Sequence, residues 1–148
     1  MPDLVFTRVS VTACLASPEA LEKLPEAVRI APDEALVILP PAKADPQIGA
    51  RLARADPDAV VLDVSDGWTA WSLEGEGARD AFAHISDLEL PTKGFVQGDV
   101  AGVPAKVVAG ADGLNLLVPS MWGDYVRDRI LARCPGVAER AEPREWAR

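Results

Sequence analysis

Two stretches of this chain resemble each other, and a repeated unit constrains the fold more than any other feature of the sequence. "APDEALVILP" aligns with "GADGLNLLVP", with Asp33 on Asp112, and a segment of helical periodicity follows each copy. Upstream, "VSVTACLASPEALEKL" and "WTAWSLEGEGARDAFAHI" both have the pattern of a strand, a corner and a helix. The sequence therefore predicts two related β-α-β-α units, at about residues 5–55 and 59–133, packed as one α+β domain.

Local signals place several elements within this domain, which we expect to span residues 1–134. Ser17 precedes a proline at the first helical position, which predicts a helix start. The apolar run "ALVILP" predicts a buried strand, and "AVVLDV" a second one. A Ser65-Asp66-Gly67 turn then predicts that "WTAWSL" returns as the hairpin partner of "AVVLDV". The polar, proline-containing residues 135–148 predict a loosely held C-terminal tail.

The charge of the chain argues against two classes of partner. It carries 15 Lys and Arg against 23 Asp and Glu, which gives a net charge of −8. Nucleic acids and anionic membranes bind basic surfaces, so neither is expected as a partner. No signal-like segment opens the chain and no apolar run approaches the ~20 residues of a membrane span, so we expect a cytoplasmic protein. Cys14, Cys134 and a single histidine predict free thiols rather than a metal site.

The glycine pair in "SLEGEGARDAF" raises the question of a phosphate-binding loop. Gly75 and Gly77 match the first two glycines of the dinucleotide fingerprint, but Asp80 stands at the third glycine position. Glu74 and Glu76 flank the pair and would place negative charge beside a phosphate. The stretch therefore indicates a sharp corner between a strand and a helix.

Other candidates for catalysis and binding are few. His84 lies beside the inner stripe of a predicted helix with no nucleophile context around it, and Cys14 lies in a strand. Five aspartates could supply an acid/base pair, although we expect most to be solvated: Asp63, Asp66, Asp80, Asp87 and Asp99. Exposed Trp and Met are typical of partner-binding surfaces, which makes Trp68, Met121 and Trp122 candidates for an interface. Core packing remains an alternative for Trp122. We expect no catalytic, cofactor-binding or metal-binding residue in this chain.

A family resemblance emerges from residues 59–133. "VVLDVSDGWTAWSLEGEGARDAFAHISDLEL", a glycine-marked hairpin, "LNLLVP" and a final helix resemble the aminomethyltransferase folate-binding fold of the glycine-cleavage T-protein. Leu73, Gly75, Ala78 and Phe82 fall on the spacing of that family's motif. "APDEALVILP" and "VSDGWTAWSLEG" are similar to segments of the gamma subunit of heterotetrameric sarcosine oxidase. The family's acidic residues after the glycine-marked hairpin are absent here, where "AGVPAKVV" has Ala105 and Lys106 instead.

The resemblance implies a function for the complex rather than for this chain. It implies a non-catalytic gamma-type subunit of a sarcosine oxidase-like flavoenzyme that oxidatively demethylates N-methyl amino acids in one-carbon metabolism. The chain itself would carry no cofactor, whereas FAD, FMN, NAD and tetrahydrofolate would belong to its large partner subunits. The alternative is a stand-alone folate-binding or one-carbon transfer protein of the T-protein fold. That alternative needs an acidic anchor, for which Asp99 or Asp63 would be the nearest substitutes.

Overall fold

A computed structural model describes residues 2–147, which divide into two compact units. The larger unit comprises residues 2–8 and Asp66–Trp146, and the smaller unit comprises Val9–Ser65 with Ala147. Both combine helices with an antiparallel or mostly antiparallel sheet, so the α+β class is confirmed. Among the described residues, no helix is long and apolar enough to cross a membrane.

Strands predominate over helices in the described part of the chain. Its strands are β1 (Asp3–Arg8), β2 (Ser10–Leu15), β3 (Val28–Ala31), β4 (Glu34–Leu39), β5 (Val60–Asp63), β6 (Trp68–Glu74), β7 (Gly94–Val100), β8 (Val103–Ala109), β9 (Gly113–Pro119) and β10 (Ala138–Glu145). Its α-helices are α1 (Pro18–Leu21), α2 (Ile48–Ala55), α3 (Ala78–Phe82) and α4 (Gly123–Arg133). Single 3-10 turns cover Pro41–Lys43, Ser65–Gly67 and Ser120–Trp122.

The smaller unit is a four-stranded sheet in the order β3-β4-β2-β5, with α1 and α2 supplying apolar residues to its core. Ser17 caps α1 as predicted, because its Oγ accepts a hydrogen bond from the Ala20 N–H at 3.2 Å. The run "ALVILP" forms β4, whose central residues are buried, again as predicted. Cys14, Val37 and Leu52 belong to the core of this unit, which packs the sheet against its helices.

The larger unit is a six-stranded sheet in the order β10-β1-β6-β9-β8-β7. Its core lies between one sheet face and the two helices α3 and α4. The inner stripe predicted for α3 is confirmed, since Ala78, Ala81, Phe82 and Ile85 are all buried there. Alternation along β6 places Trp71 and Leu73 on this helix-covered face. The intervening residues point to the opposite face.

The order of elements in the two units is similar but differs from the predicted β-α-β-α pattern. In each unit, more than one strand separates the two helices, and the last of these strands pairs with the strand that precedes the first helix of the unit. The aligned stretches of the sequence thus become β4 and β9, which hold corresponding places beside β2 and β6. On its other side, β2 pairs with β5 in the smaller unit, whereas β6 pairs with β1, from the start of the chain, in the larger unit.

The predicted hairpin between "AVVLDV" and "WTAWSL" is wrong. β5 pairs with β2 in the smaller sheet, whereas β6 pairs with β1 and β9 in the larger sheet. The predicted burial of "AVVLDV" is also wrong, because β5 is an edge strand with Val60 47% and Leu62 51% exposed. An apolar run identifies a strand, but it does not distinguish an exposed edge from a buried centre.

Residues 135–148 were expected to be a polar tail, but most of the described ones form the edge strand β10. It runs parallel to β1, with an irregularity in register between Val5 and Thr7. Glu74 joins β10 to the far side of β1 through ion pairs with Arg140 and Arg144. Beyond the strand, the Trp146 N–H donates to the Arg8 carbonyl at 2.9 Å, and its side chain is only 2% exposed. Exposed strand residues carry no apolar alternation, which is why the sequence pattern did not reveal them.

Replacing Glu74 by Gln should loosen β10 without disturbing the rest of the sheet. The two ion pairs are partly exposed, so we expect them to contribute about 1 kcal/mol together, which is a roughly fivefold change in local opening. Tryptic cleavage after Arg140 and Arg144 should accelerate by that factor, as followed by mass spectrometry. Glu76→Gln is the matched control, because Glu76 is exposed and forms no ion pair with another described residue. Equal cleavage rates in the two variants would contradict this assignment.

Candidate interaction surface

The glycine pair forms the corner between β6 and α3. Gly75 and Gly77 have φ angles of 100° and 88°, a left-handed conformation that glycine adopts readily. The Gly75 N–H donates to the Asp112 carbonyl at 2.9 Å, and the Ala78 N–H donates to the Gly75 carbonyl at 3.2 Å. The two glycines therefore shape the backbone of this corner, and the preceding Glu74 forms an ion pair with Arg140 of β10.

A solvent-exposed group of large apolar side chains lies where β9 passes into α4. Met121 is 81% exposed, and Trp122 and Tyr125 are each 42% exposed. The rings of Trp122 and Tyr125 meet edge to face, with their centroids 5.8 Å apart. These three residues are called the Met–aromatic surface below. The alternative that Trp122 is a core residue is wrong, because the inner face of α4 is formed by Val126 and Ile130.

The start of α4 is positioned tightly against β6. The Trp71 Nε1–H donates to the Gly123 carbonyl at 3.0 Å, and both residues are buried. A Cβ at Gly123 would lie 3.0 Å from the Thr69 side chain, so only glycine allows this close approach without adjustment. The Ser120 Oγ also donates to the Asp66 carbonyl at 2.8 Å. The Met–aromatic surface is therefore presented on a rigid turn.

Trp68 lies at the end of β6 that is next to the Met–aromatic surface, but on the other face of the sheet. Its backbone pairs with Pro119, immediately before the turn that carries Met121 and Trp122. Thr69 contacts α4, so strand alternation directs Trp68 away from that helix. Its ring is instead approached by the Lys106 Nζ, 5.8 Å from the ring centroid, which is a cation–π arrangement. The structure thus groups Met121 and Trp122 but separates Trp68 from them.

A groove of about 550 Å³ borders the start of α4, and its lining includes Phe6, Thr69, Trp71 and Glu139. Phe6 is exposed and packs edge to face on Trp71, with ring centroids 5.5 Å apart. Three ionic groups of this groove pair with each other, because Arg127 pairs with Asp128 and with Glu139. Hydrogen bonding from Arg127 lowers the pKa of Glu139. This arrangement ties α4 to β10.

The other candidate residues, Asp63, Asp99 and His84, form local hydrogen bonds or are exposed. Asp63 accepts hydrogen bonds from the Ser65 Oγ at 2.6 Å and from its N–H at 3.0 Å, which lowers the pKa of the carboxyl. Asp99 accepts the Gly102 N–H at 2.7 Å in the β7–β8 turn. His84 is exposed on the segment that follows α3. Among the described residues, no three His, Cys, Asp or Glu side chains are grouped as metal ligands.

Both thiols should be unreactive in the folded protein. Cys14 and Cys134 are buried, and desolvation raises the pKa of each thiol, that of Cys14 to about 11 with a further contribution from Glu26. Thiolate, the reactive form, is therefore scarce until the pH approaches the raised pKa. At pH 8 we expect a chromogenic disulfide reagent to react with neither thiol in the native state and with both in guanidinium chloride. Rapid reaction of one thiol in the native protein would contradict the buried assignment.

A buried polar chain on the sheet of the larger unit was not anticipated from the sequence. The oxygens of Thr7 and Ser72 lie 2.6 Å apart, and the Ser72 Oγ donates to the Asn115 Oδ1 at 2.6 Å. The three residues come from β1, β6 and β9 and are all buried. Polar residues within apolar strand segments were the available signal. Their meeting required knowledge of the strand order.

Comparisons with known proteins bear on the fold. No protein-family model and no curated protein sequence matches the chain significantly. One solved structure, heterotetrameric sarcosine oxidase from Corynebacterium sp. U-96 in complex with pyrrole 2-carboxylate, contains a chain that aligns with a TM-score of 0.72. The alignment has 16% sequence identity and covers 87% of this chain and 81% of that chain. The fold is similar to that of a sarcosine oxidase chain.

A second solved structure, of a protein from Agobacterium tumefaciens, aligns over 99% of this chain and 98% of its own. Its identity is 17% and its TM-score is 0.49, which is too low to indicate a shared fold. The first structure supports the resemblance to sarcosine oxidase at the level of the fold. Because that alignment covers similar fractions of both aligned chains, the two chains are of comparable length.

The resemblance to the aminomethyltransferase fold sets Ala105 and Lys106 at the positions of that family's acidic folate-site residues. In this structure, Ala105 is buried in the core of the larger unit. Lys106 donates to the Gln97 Oε1 at 2.8 Å and approaches the Trp68 ring. These two positions therefore have packing and surface roles.

Proposed function

We propose that this chain is a non-catalytic, structural subunit of a heterotetrameric sarcosine oxidase-like flavoenzyme that oxidatively demethylates N-methyl amino acids. The observation that carries the proposal is the fold likeness, at a TM-score of 0.72, to a chain of a heterotetrameric sarcosine oxidase. FAD, FMN, NAD and tetrahydrofolate would then be held by the partner subunits.

The chemistry of the described residues supports an accessory role. The two thiols are buried and protonated, His84 is exposed, and Asp63 and Asp99 each accept hydrogen bonds within a turn. By contrast, Met121, Trp122 and Tyr125 expose a contiguous apolar surface on a rigid turn. Large aromatic and Met side chains presented in this way are enriched where proteins bind each other. We assign partner binding to this surface, which does not include Trp68 on the other face of the sheet.

Co-expression of this chain with the proteins encoded beside it tests the proposal. The expected result is a stoichiometric complex that elutes as one species in size-exclusion chromatography, carries flavin absorbance and oxidises sarcosine. Omission of this chain should leave the large subunits poorly assembled, since a structural subunit acts through the interface it provides. If the chain never elutes with a flavoprotein, the proposal fails.

Replacing Trp122 by Ala should weaken assembly strongly. A half-exposed Trp at the centre of an interface commonly contributes about 2 kcal/mol or more, which corresponds to a roughly 30-fold rise in Kd. Surface plasmon resonance with the flavin-containing partner measures this change. Leu62→Ala is the control, because Leu62 is also an exposed apolar residue but lies in the smaller unit. A larger loss with Leu62→Ala would move the interface to that unit.

Isothermal titration calorimetry with tetrahydrofolate tests the alternative function. If this chain is a structural subunit, the isolated chain should show no heat of tetrahydrofolate binding. Micromolar binding by the isolated chain would favour a stand-alone folate-binding or one-carbon transfer protein. Asp99→Asn and Asp63→Asn variants would then identify the anchoring carboxylate.

A further inference from the structure

A second groove of the larger unit, of about 640 Å³, lies beside the later turns of α4. One wall is formed by Tyr125, Arg129 and Arg133, which follow one another at intervals of four residues along the helix. The opposite wall comes from the segment after α3 and from the β7–β8 turn, and it includes His84 and Asp99. Tyr125 therefore belongs both to this groove and to the Met–aromatic surface.

The two arginines of this groove differ from most others in the chain because neither forms an ion pair with a described residue. Arg127, on the adjoining face of the same helix, pairs with Asp128 and Glu139. The Arg129 Nε is buried and has no hydrogen-bond partner, while its guanidinium lies 5.8 Å from the centroid of the Tyr125 ring. A buried donor without an acceptor costs about 1–3 kcal/mol, so the Arg129 guanidinium is incompletely satisfied in this structure.

The two acidic groups of the groove, Asp87 and Asp99, form no ion pair with these arginines. Asp99 uses its Oδ1 to accept the Gly102 N–H, and Asp87 is exposed on the opposite wall. Neither carboxylate comes within 4.0 Å of the Arg129 or Arg133 guanidinium. The groove thus combines two available guanidinium groups, an exposed aromatic ring and His84 in a chain whose net charge is −8.

We propose that this groove binds the carboxylates of an acidic segment of a partner protein, whose neighbouring apolar side chain packs on the Met–aromatic surface. Guanidinium groups bind carboxylates through two parallel hydrogen bonds, and the Arg129 guanidinium lies 5.8 Å from the centroid of the exposed Tyr125 ring. The partner assignment rests on the proposed function, since it takes the same surface to be the subunit interface. Continuity through Tyr125 and charge complementarity specify the kind of segment that fits.

A peptide titration tests the groove on the isolated chain. Acetyl-Phe-Glu-Glu-amide is added to the isotope-labelled protein while the Nε–Hε signal of Arg129 and the indole signal of Trp122 are followed by NMR. Both signals should shift and saturate at low millimolar concentration, with a Kd of about 1 mM. Acetyl-Phe-Gln-Gln-amide should shift the indole signal only. The Arg129→Gln/Arg133→Gln variant should lose at least tenfold in affinity, whereas Arg54→Gln, an exposed arginine of the smaller unit, should not. Equal responses to the two peptides, or no response at about 10 mM, would overturn the inference.

The assembled complex provides a second test that separates this inference from the proposed function. Arg129→Gln/Arg133→Gln should raise the Kd for the flavin-containing partner about tenfold and reduce its dependence on salt, because screened charge pairs are lost. Unchanged affinity and salt dependence in this variant would overturn the acidic-segment assignment and leave the proposed function intact. Specific peptide binding by a chain that never joins a flavoprotein would overturn the proposed function alone.

Discussion

Gly113→Ala should destabilise the larger unit by about 3 kcal/mol or more. Gly113 lies directly opposite Glu74 where β9 pairs with β6. A Cβ at this position would come within 2.3 Å of the Leu73 carbonyl oxygen and 3.1 Å of the Glu74 Cα. Both are backbone atoms of a paired strand, so the clash is relieved only if the two strands separate. The β6–β9 ladder at the centre of the sheet would be lost locally.

Gly67→Ala is the matched control for Gly113→Ala. No atom lies within 4 Å of a Cβ built at Gly67, and its φ angle does not lie in the left-handed region. We expect this variant to differ from the parent by no more than about 0.5 kcal/mol. Guanidinium unfolding followed by Trp fluorescence compares the two, because the buried Trp71 reports on the larger unit. Equal stability of both variants would contradict the pairing of β6 with β9 in this register.

Ser72→Ala should destabilise the protein by about 1–3 kcal/mol, although the substitution is nearly isosteric and removes only one oxygen atom from the side chain. Ser72 is the middle member of the buried chain from Thr7 to Asn115, with a separation of 2.6 Å on each side. Its loss takes the donated hydrogen bond from the Asn115 Oδ1 and the contact from Thr7, whose single hydroxyl proton can then be donated to the Val5 carbonyl at 3.1 Å. Buried groups deprived of a partner then bear the desolvation cost.

A double-mutant cycle distinguishes this network from a simple packing effect. Thr7→Val and Ser72→Ala should be non-additive by about 0.5 kcal/mol or more, because the second change finds its partner already removed. Ser10→Ala serves as a control, since Ser10 is a partly buried strand residue whose side chain forms no hydrogen bond with another described residue. Strict additivity of the two changes would contradict the hydrogen bond between Thr7 and Ser72.

Elements governed by neighbouring residues were predictable from the sequence. The Ser17 cap, the inner stripe of α3 and the buried strand β4 each depend on side chains within a few positions of one another. The corner at Gly75 and Gly77 was predictable for the same reason, because its backbone conformation is a local property of glycine. The surface role predicted for Met121 and Trp122 had the weakest basis, as an exposed Trp and a core Trp look alike in a helix start.

Features that depend on distant pairing were decided by the tertiary structure. β5 and β6 are separated by four residues, yet they join different sheets, because each finds its partners elsewhere in the chain. β10 is polar and exposed, and it is held by backbone pairing with β1 and by the Glu74 ion pairs. The groove beside Arg129 likewise exists only where α4 meets two separate segments. Local conformational preferences are written in short stretches of sequence, whereas strand partners and the exposure of a side chain depend on free energy gained across the whole fold.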